Sequence, residues 1–344
     1  MKGDAIIVGA GIGGLMAGRA LRADGWRVTI YERTDGLPRT GTALGMWPEA
    51  MAALDRLGVG DAVRARGVLQ QGATFLRPDG VPFARVTSTD PAYLVSRPTL
   101  HEILYSGALE DSVGWDAVVD DPTSLPDADL VVGADGINSR IRDVVAGRRT
   151  APRPLGTVAF RGVVPGTVDD VTETWGEGRL FGITPQDQQT INWFACVRDD
   201  LLAERGSTLT PAELLTDLFG HWHQAVAEVV TRVDPEQIDQ RPLYDAAPFG
   251  SMVRGHTVVI GDAAHAMAPN AGRGACEALL DAVHLADALR ASETVDDGLR
   301  AFDRARRRAG RRTVRISRFL NRLSTARRFT TSRHRTMNAL ARLA

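Results

Sequence analysis

Three glycines near the N-terminus have the spacing that binding of a dinucleotide pyrophosphate requires. Gly9, Gly11 and Gly14 follow an apolar run at residues 5–8, which predicts a buried parallel strand. Gly9 permits a tight turn, Gly11 leaves room for a phosphate near the backbone, and Gly14 lets the next helix pack closely. The helix predicted over residues 12–24 directs its N-terminal amides at the same phosphates.

An acidic residue ends the second predicted strand, which covers residues 26–32. Glu32 comes 18 residues after Gly14, close to the position at which an acid holds a ribose hydroxyl of the dinucleotide. We include the adjacent Arg33 among the cofactor-binding candidates. A strand, a glycine turn, a helix and a second strand with a terminal acid together predict a dinucleotide site.

Two later motifs also follow predicted buried strands. Asp135-Gly136 comes after the strand at 129–133, and Gly261-Asp262 ends the strand at 257–261. With the glycines at 9–14, these motifs resemble the three fingerprints of the p-hydroxybenzoate hydroxylase-like (group A) FAD-dependent aromatic monooxygenases. The resemblance spans most of the chain.

Weaker matches lie between these motifs. Residues 41–57 are similar to the family segment after the second strand, and Arg97 is similar to an arginine of the family that contacts FAD. The resemblance implies that Asp262 accepts hydrogen bonds from the ribityl hydroxyls of FAD; alternatively it caps a helix.

The segment after Asp262 has the residues to surround a flavin. The resemblance implies that Gly272 and Gly274 let backbone amides approach the pyrimidine edge of the flavin, and that Pro269 shapes the turn beside it. The helix that starts near Gly274 would direct its dipole at that edge and stabilise negative charge there.

The second motif has two interpretations. In the family it lies near the pyrophosphate and is linked to NAD(P)H binding, which would involve Asp135, Ser139 and Arg142. Alternatively, Ser139 only starts a helix and Arg142 is a surface charge.

Departures from the family pattern bear on the substrate. Arg273 stands where relatives often have Gln and adds a cation near the flavin or substrate, and Leu280-Asp281 stands where many have Glu-Asp. His265 is structural or near FAD in this resemblance. No second ligand follows it at metal-binding spacing, so we predict no metal site.

The predicted fold class is α/β, with a Rossmann-like FAD-binding domain, an inserted sheet-rich (α+β) substrate domain and a C-terminal helical segment. The predicted ranges are 1–70, 94–150 and 245–300 for the FAD-binding domain, 71–93 and 151–244 for the substrate domain, and 301–344 for the Arg-rich C-terminal segment.

The resemblance implies an FAD-dependent, NAD(P)H-driven monooxygenase. It would insert one oxygen of O2 into an aromatic or otherwise electron-rich small molecule through a C4a-hydroperoxyflavin, by hydroxylation or epoxidation. The sequence has one dinucleotide motif, so NAD(P)H would lack a dedicated domain. Alternatives are an FAD-linked oxidase, dehydrogenase or reductase, and a flavin-bound accessory protein. The Trp-x-Trp-x-Ile-Pro signature of the related halogenases is absent.

Substrate-binding residues are harder to assign, because ordinary core residues of a sheet have the same types. The candidates for the pocket are Arg161, Trp175, Phe181, Trp193 and Tyr244. The candidates for a catalytic role are Arg161, Trp193, Tyr244 and Arg273. Trp47 is positioned in the sequence to cover the flavin.

Composition limits the remaining classes. The chain has 344 residues, 44% of them hydrophobic, with two cysteines and no apolar stretch of membrane-spanning length, and we expect no signal peptide. These features predict a cytoplasmic protein and leave the oligomeric state open.

The charge distribution is uneven. Residues 300–344 contain 15 arginines and one acidic residue, whereas the rest has an excess of 15 acidic residues. Such a tail could bind nucleic acid or anionic lipid, or pack on its own acidic body. We predict self-packing, with neither a nucleic-acid nor a membrane partner. The predicted buried helical face contains Ile316, Phe319, Leu320 and Leu323.

Overall fold

The computed structural model describes residues 2–205 and 208–341. Residue 1 of the first predicted domain range, residues 206 and 207 of the substrate-domain range and residues 342–344 of the C-terminal segment lie outside the described residues. The strands, numbered in chain order, are β1 (Asp4–Val8), β2 (Arg27–Tyr31), β3 (Ala43–Met46), β4 (Val68–Leu76), β5 (Pro82–Ser96), β6 (Val113–Gly114), β7 (Leu130–Gly133), β8 (Arg153–Pro165), β9 (Val171–Gly176), β10 (Arg179–Pro185), β11 (Thr190–Arg198), β12 (Asp239–Asp245), β13 (Val253–Arg254) and β14 (Thr257–Val259).

Helices surround both sheets that these strands form. The helices are α1 (Ile12–Ala23), α2 (Pro48–Arg56), α3 (Gly60–Arg66), α4 (Arg97–Tyr105), α5 (Arg140–Ala146), α6 (Asp199–Arg205), α7 (Pro211–Phe219), α8 (Gln224–Thr231), α9 (Asp262–His265), α10 (Gly274–Arg290), α11 (Val295–Ser324) and α12 (Thr330–Ala341). Among the helices of the described residues, none is both long and apolar enough to cross a membrane.

The first sheet brings the three predicted motifs together. Its strand order is β13-β14-β7-β1-β2-β6, and β1 is parallel to both β2 and β7. Strand β14 is parallel to β7, so the carboxyl ends of β1, β2, β7 and β14 meet at one edge. Ligands bind at this edge in open parallel sheets. The predicted α/β class with a Rossmann-like unit is confirmed.

The second sheet comes mainly from the middle of the chain. Its order is β12-β8-β11-β10-β9-β4-β5-β3, antiparallel except for the parallel pair β4–β9. One side packs against α7 and α8 through a core that includes Phe181, Trp193, Phe219 and Trp222. We call this side the helix-covered face. Strand β3 joins this sheet although it lies inside the range 1–70, and the division into domains stays a prediction.

The Arg-rich C-terminal segment packs on the chain itself, as predicted. Arg318 Nε donates to Asp245 at 2.6 Å, and Arg327 Nη1 donates to Glu204 at 2.6 Å. The predicted buried face of α11 was wrong, however, because Ile316 and Phe319 are 44% and 50% exposed. Leu320 and Leu323 are only partly buried. The buried positions on this part of α11 are Val314, Ser317, Asn321 and Ser324.

Hydrogen bonds explain why α11 buries its polar side. Asn321 Nδ2 donates to Thr157 Oγ1 at 3.2 Å and to Asn270 Oδ1 at 3.1 Å. Asn270 Nδ2 in turn donates to Ser324 Oγ at 3.2 Å. Buried polar groups that are satisfied in this way offset the loss of hydration. Helical periodicity therefore located an amphipathic helix but did not determine which side faces inward.

Candidate active site

The glycine turn after β1 has the geometry that a phosphate site requires. Gly9 has φ +104°, and a Cβ atom there would lie 2.5 Å from the carbonyl oxygen of Ala134. A Cβ at Gly14 would collide with the carbonyl oxygen of Gly9. A Cβ at Gly11, in contrast, would meet no atom within 4 Å. The chain's own packing thus requires Gly9 and Gly14, and Gly11 borders open space.

Glu32 is anchored to this turn from the end of β2. Its Oε2 accepts a hydrogen bond from the backbone N–H of Ala10 at 2.7 Å, and its Oε1 accepts one from Thr34 N–H at 3.0 Å. The carboxylate is therefore held beside the glycine turn, where a ribose would follow a bound pyrophosphate. Arg33 and Arg97 are both exposed, and Arg97 is the first residue of α4.

The second motif connects two of the strand ends. Asp135 Oδ2 accepts from the backbone N–H of Arg140 at 2.7 Å and thereby caps α5. Its other oxygen is buried and has no protein partner among the described residues. Ser139 is the N-cap of α5, with Oγ accepting from the N–H of Arg142 at 2.8 Å. Ser139 therefore starts a helix, and its role toward NAD(P)H stays a prediction.

Arg142 is not a surface charge, since only 2% of it is exposed. Its guanidinium donates to the carbonyl oxygen of Ala263 at 3.0 Å, to that of Ile137 at 2.7 Å and to Thr150 Oγ1 at 2.7 Å. Arg142 thus ties the second motif to the third. Burial lowers the pKa of Arg142, with nearby Asp143 and Asp135 opposing that effect.

Asp262 follows β14, and its side-chain carboxylate makes no hydrogen bond within the described parts of the chain. The N-cap of α9 is Gly261, with φ +57°, and Asp262 is the first helical residue. Asp262 is exposed at the same edge as Gly11 and Glu32. A carboxylate that makes no helix cap is available to accept hydroxyl donors from a ligand.

A buried ionic network supports Gly261 from beneath. Asp281 Oδ2 accepts from Gly261 N–H at 2.9 Å and lies 2.5 Å from His265 Nε2. Arg306 of α11 donates to Asp281 Oδ1 at 2.7 Å and to Glu277 Oε2 at 2.5 Å. Each of these four side chains is at least 90% buried. His265 therefore belongs to a buried network that supports Gly261.

The charges in this network shift two pKa values in opposite directions. Burial opposes charge on His265, but the charge and hydrogen bond of Asp281 raise the pKa of His265 overall. Burial also opposes charge on Asp281, yet His265 and Arg306 lower the pKa of Asp281. The pair is therefore an ion pair at mildly acidic pH, below the ordinary pKa of a histidine.

The late glycine segment leads into helix α10, which packs beside α1. Pro269–Ala271 is a single 3-10 turn, Gly272 has φ +61°, and Gly274 begins the 17-residue helix α10. Trp47 Nε1 donates to the carbonyl oxygen of Gly272 at 3.2 Å. A Cβ at Gly274 would meet no atom within 4 Å, so its backbone borders open space at a helix N-terminus.

Arg273 does not present a free cation. Its Nη2 donates to Glu49 at 3.1 Å and to Glu277 at 3.3 Å. Burial works against charge here, but Glu49 and neighbouring acids raise the pKa of Arg273 overall. The arginine therefore connects α2 to the start of α10, and its charge is matched by two carboxylates.

The other side of the second sheet points toward these cofactor candidates. Asn192 Oδ1 accepts from the backbone N–H of Ala43 at 3.4 Å, and Asn192 Nδ2 donates to Thr184 Oγ1 at 2.9 Å. Thr157 connects through Asn321 to Asn270, which is in the late 3-10 turn. We call this side of β8, β9, β10 and β11 the cleft face.

The five pocket candidates divide between the two faces and an edge. Arg161 and Trp175 are on the cleft face, where Trp175 packs against Phe75 and Phe83. Phe181 and Trp193 stack on each other in the helix-covered core, and Trp193 is 1% exposed. Tyr244 is 41% exposed on β12, the edge strand. Successive residues of a strand point to opposite faces of the sheet. Because Asn192 is on the cleft face, its neighbour Trp193 is on the helix-covered face.

Several site residues escaped sequence reasoning. Asn270, Asn321 and Arg306 lie far apart in the chain, and their pairing depends on how α11 packs. The sequence analysis did not select Glu173 as a candidate either, although Glu173 lies two residues before Trp175 on the same face of the strand. The alternation of side chains along the strand that contains Asn192 could have indicated which residues share the cleft face.

The described residues fit FAD. Backbone at Gly11 and Gly274 borders open space, Glu32 is oriented at the glycine turn, and the carboxylate of Asp262 has no protein partner among the described residues. The α10 N-terminus supplies a dipole at the other end of this edge. Within the described residues, no group of three His, Cys, Asp or Glu side chains is arranged to hold a metal ion.

A family model described as "FAD binding domain" matches residues 2–117 and 105–317. The chain belongs to this family and uses FAD as its cofactor. It is an FAD-dependent monooxygenase of the p-hydroxybenzoate hydroxylase-like, group A type.

Two relatives and one solved structure illustrate what the chain is similar to. The chain is 34% identical over 311 residues to the aurachin C monooxygenase/isomerase of Stigmatella aurantiaca, covering 83% of this chain and 80% of that protein. It is 32% identical over 312 residues to the 3-amino-4-hydroxybenzoate 2-monooxygenase of Streptomyces cremeus, covering 82% and 77%. A crystal structure of Klebsiella pneumoniae HpxO complexed with FAD and uric acid matches its fold, with TM-score 0.87 and 24% identity over 99% of this chain and 93% of that one.

Proposed function

We propose that the protein uses NAD(P)H and O2 to hydroxylate or epoxidise a small, electron-rich aromatic molecule bound against the cleft face. One observation carries this proposal. The cleft face is hydrogen-bonded to the segment at residues 41–57 through Asn192 and Ala43, and to the late 3-10 turn through Thr157, Asn321 and Asn270. A substrate on that face would therefore lie between the sheet and the cofactor.

Particular residues would hold the cofactor. The backbone at Gly9 and Gly11 and the α1 N-terminus would bind the pyrophosphate, with Glu32 on the adjacent ribose. Asp262 would accept hydrogen bonds from the ribityl chain. Bound FAD would supply the redox chemistry, taking electrons from NAD(P)H and activating O2.

The remaining cofactor candidates complete this proposal. Arg97 and Arg33 are exposed to solvent, so their cations would be available to phosphate or nicotinamide groups. The turn at Pro269, with Gly272 and Gly274, would bring backbone amides to the ring edge, where the α10 dipole favours negative charge. Asp135 would act near the pyrophosphate.

We also propose the domain division inferred from the sequence. Residues 151–244 supply β8–β11, most of β12 and the helices α6–α8, which supports their assignment to a substrate domain. Residues 245–300 return to β14 and α10 beside the first sheet. Placement in the cytoplasm stays a prediction.

The test is anaerobic flavin reduction. The FAD-loaded protein is mixed with NADH or NADPH, alone and with pooled phenols, quinolones or aminohydroxybenzoates, and flavin bleaching is followed. We expect bleaching that one pool accelerates, followed on adding O2 by a product one oxygen heavier. If neither nicotinamide bleaches the flavin with any pool, a self-sufficient monooxygenase is excluded. Bleaching without oxygen transfer to any aromatic would favour an oxidase or reductase.

A further inference from the structure

Four strands of the second sheet align a row of residues across the cleft face. Arg161 of β8 pairs with Phe194 of β11, Phe194 pairs with Gly182 of β10, and Gly182 pairs with Glu173 of β9. Directly paired residues share one face of a sheet. Neighbouring strands are about 4.8 Å apart, so the Cα atoms of Arg161 and Glu173 are roughly 14 Å apart.

This row is on the cleft face. Thr157 and Arg161 are both on β8 at even spacing, and Thr157 contacts Asn321. Asn192 and Phe194 are similarly related on β11, and Asn192 contacts the backbone of Ala43. The row therefore faces the proposed cofactor site and not the core under α7 and α8.

The middle of the row is flat and apolar. Gly182 has no side chain, and the ring of Phe194 occupies the space where its Cβ would be. An aromatic ring lying over a glycine gives a planar surface on which another ring can stack. Opposite charges stand at the two ends of this surface, Arg161 on one side and Glu173 on the other.

Neither charge is neutralised by a strong partner. Among the described residues, Arg161 makes no side-chain hydrogen bond or ion pair, and Glu173 accepts one hydrogen bond, from Trp175 Nε1. Burial raises the pKa of Glu173 to about 7, with the Trp175 hydrogen bond opposing this. Part of the Glu173 surface remains exposed, as contact with a ligand requires.

The thiol of Cys196 is close to both groups. Burial, and then the charge of Glu173, raises the pKa of Cys196 to about 12, while Arg161 acts in the opposite direction. Cys196 follows Phe194 on the same face of β11. The charges of Arg161 and Glu173 therefore both act on this thiol, which lies on the same sheet face as Phe194.

We propose that Glu173 accepts the proton of an acidic O–H or N–H on a planar aromatic substrate stacked over Phe194, while Arg161 binds an oxygen anion or carbonyl at the opposite edge. This inference rests on the proposed function and specifies its substrate class. The substrate O–H or N–H bond breaks, the proton moves to a Glu173 carboxylate oxygen, and the electron pair stays on the substrate. The ring becomes more electron-rich, which favours attack by an electrophilic oxygen.

The test uses the FAD-loaded protein and chromophoric probes, a panel of nitrophenols and hydroxyquinolines whose absorbance reports deprotonation. In wild type we expect a bound probe to ionise below its solution pKa. For hydroxyquinolines, whose solution pKa is well above 7, affinity should rise as pH increases through about 7 and fall again above the solution pKa of the probe. In Glu173→Gln the probe should bind but stay neutral, and the rise of affinity with pH should disappear. Glu177→Gln, the same change at an exposed turn residue, should behave as wild type.

Arg161→Met tests the other end of the row. We expect it to weaken binding of carboxylate-bearing nitrophenols about tenfold to a hundredfold, because it removes a charge-assisted hydrogen bond. Unchanged probe ionisation in Glu173→Gln overturns the inference. So does the absence of binding by any probe to wild type. Normal NAD(P)H reduction of the flavin would then leave the proposed function standing, whereas no reduction together with normal probe ionisation would refute that function alone.

Discussion

His265 and Asp281 form a buried pair beneath Gly261, with 2.5 Å between His265 Nε2 and an Asp281 oxygen. The same Asp281 oxygen accepts the backbone N–H of Gly261. The residue that precedes Asp262 is thus held by a charged network that includes Arg306 of α11. This network therefore connects helix α11 to the third cofactor motif.

This pair predicts how stability depends on pH. The raised pKa of His265 gives a stabilisation that is complete below about pH 6.5, the unfolded value, and is lost as pH rises through the folded value. The lowered pKa of Asp281 also stabilises the fold. This stabilisation is complete above about pH 4, the unfolded pKa, and is lost as pH falls through the pKa of Asp281 in the folded protein. We therefore expect His265→Gln to lower the free energy of unfolding most between about pH 4 and about pH 6.5.

Urea unfolding across pH measures this effect. The difference between wild type and His265→Gln should shrink as pH rises through the folded pKa of His265. His256→Gln serves as the control, since His256 is exposed and 3.5 Å from Asp296. A difference that stays constant from acidic to alkaline pH would contradict the charged-pair assignment.

Asp262→Ala should separate cofactor binding from folding. Among the described residues its carboxylate makes no hydrogen bond, so the unfolding free energy of the apoprotein should change little. The FAD dissociation constant should rise about tenfold or more, because hydrogen bonds to a charged acceptor would be lost. Fluorescence titration with FAD measures this, with the exposed Asp61→Ala as control. Full flavin retention in Asp262→Ala would refute the assigned role.

Gly310→Ala tests the packing of α11 on His265. A Cβ at Gly310 would lie 2.6 Å from His265 Cδ2. In an open helix this change would stabilise by about 1 kcal/mol through helix propensity, but overpacking costs about 1–3 kcal/mol. We expect net destabilisation in thermal or urea unfolding. A stabilised variant would show that the contact is not tight.

Asn321→Leu tests the polar burial of α11. The change removes hydrogen bonds to Thr157 and Asn270 and should cost about 1–3 kcal/mol in unfolding free energy. Phe319→Ser, on the exposed side of the same helix, should change it by about 0.5 kcal/mol or less. A larger loss of unfolding free energy in Phe319→Ser than in Asn321→Leu would show that the apolar face of α11 is the buried one.

Local patterns were sufficient to predict the strands of the first sheet that precede the three motifs. The strands that precede Gly9, Asp135 and Asp262 are short apolar runs, and parallel strands of one sheet bring their carboxyl ends together. Helix α10 begins at Gly274, where the sequence predicts its start. These features depend on residues close in sequence.

Tertiary structure decided the features that depend on distant partners. Arg142 is buried because carbonyl oxygens of Ala263 and Ile137 surround it, and Arg273 is neutralised because Glu49 of α2 reaches it. Periodicity predicts that two sides of a helix or strand differ, but the packing partner determines which side is buried. The polar face of α11 and the alignment of Arg161 with Glu173 therefore required the folded chain.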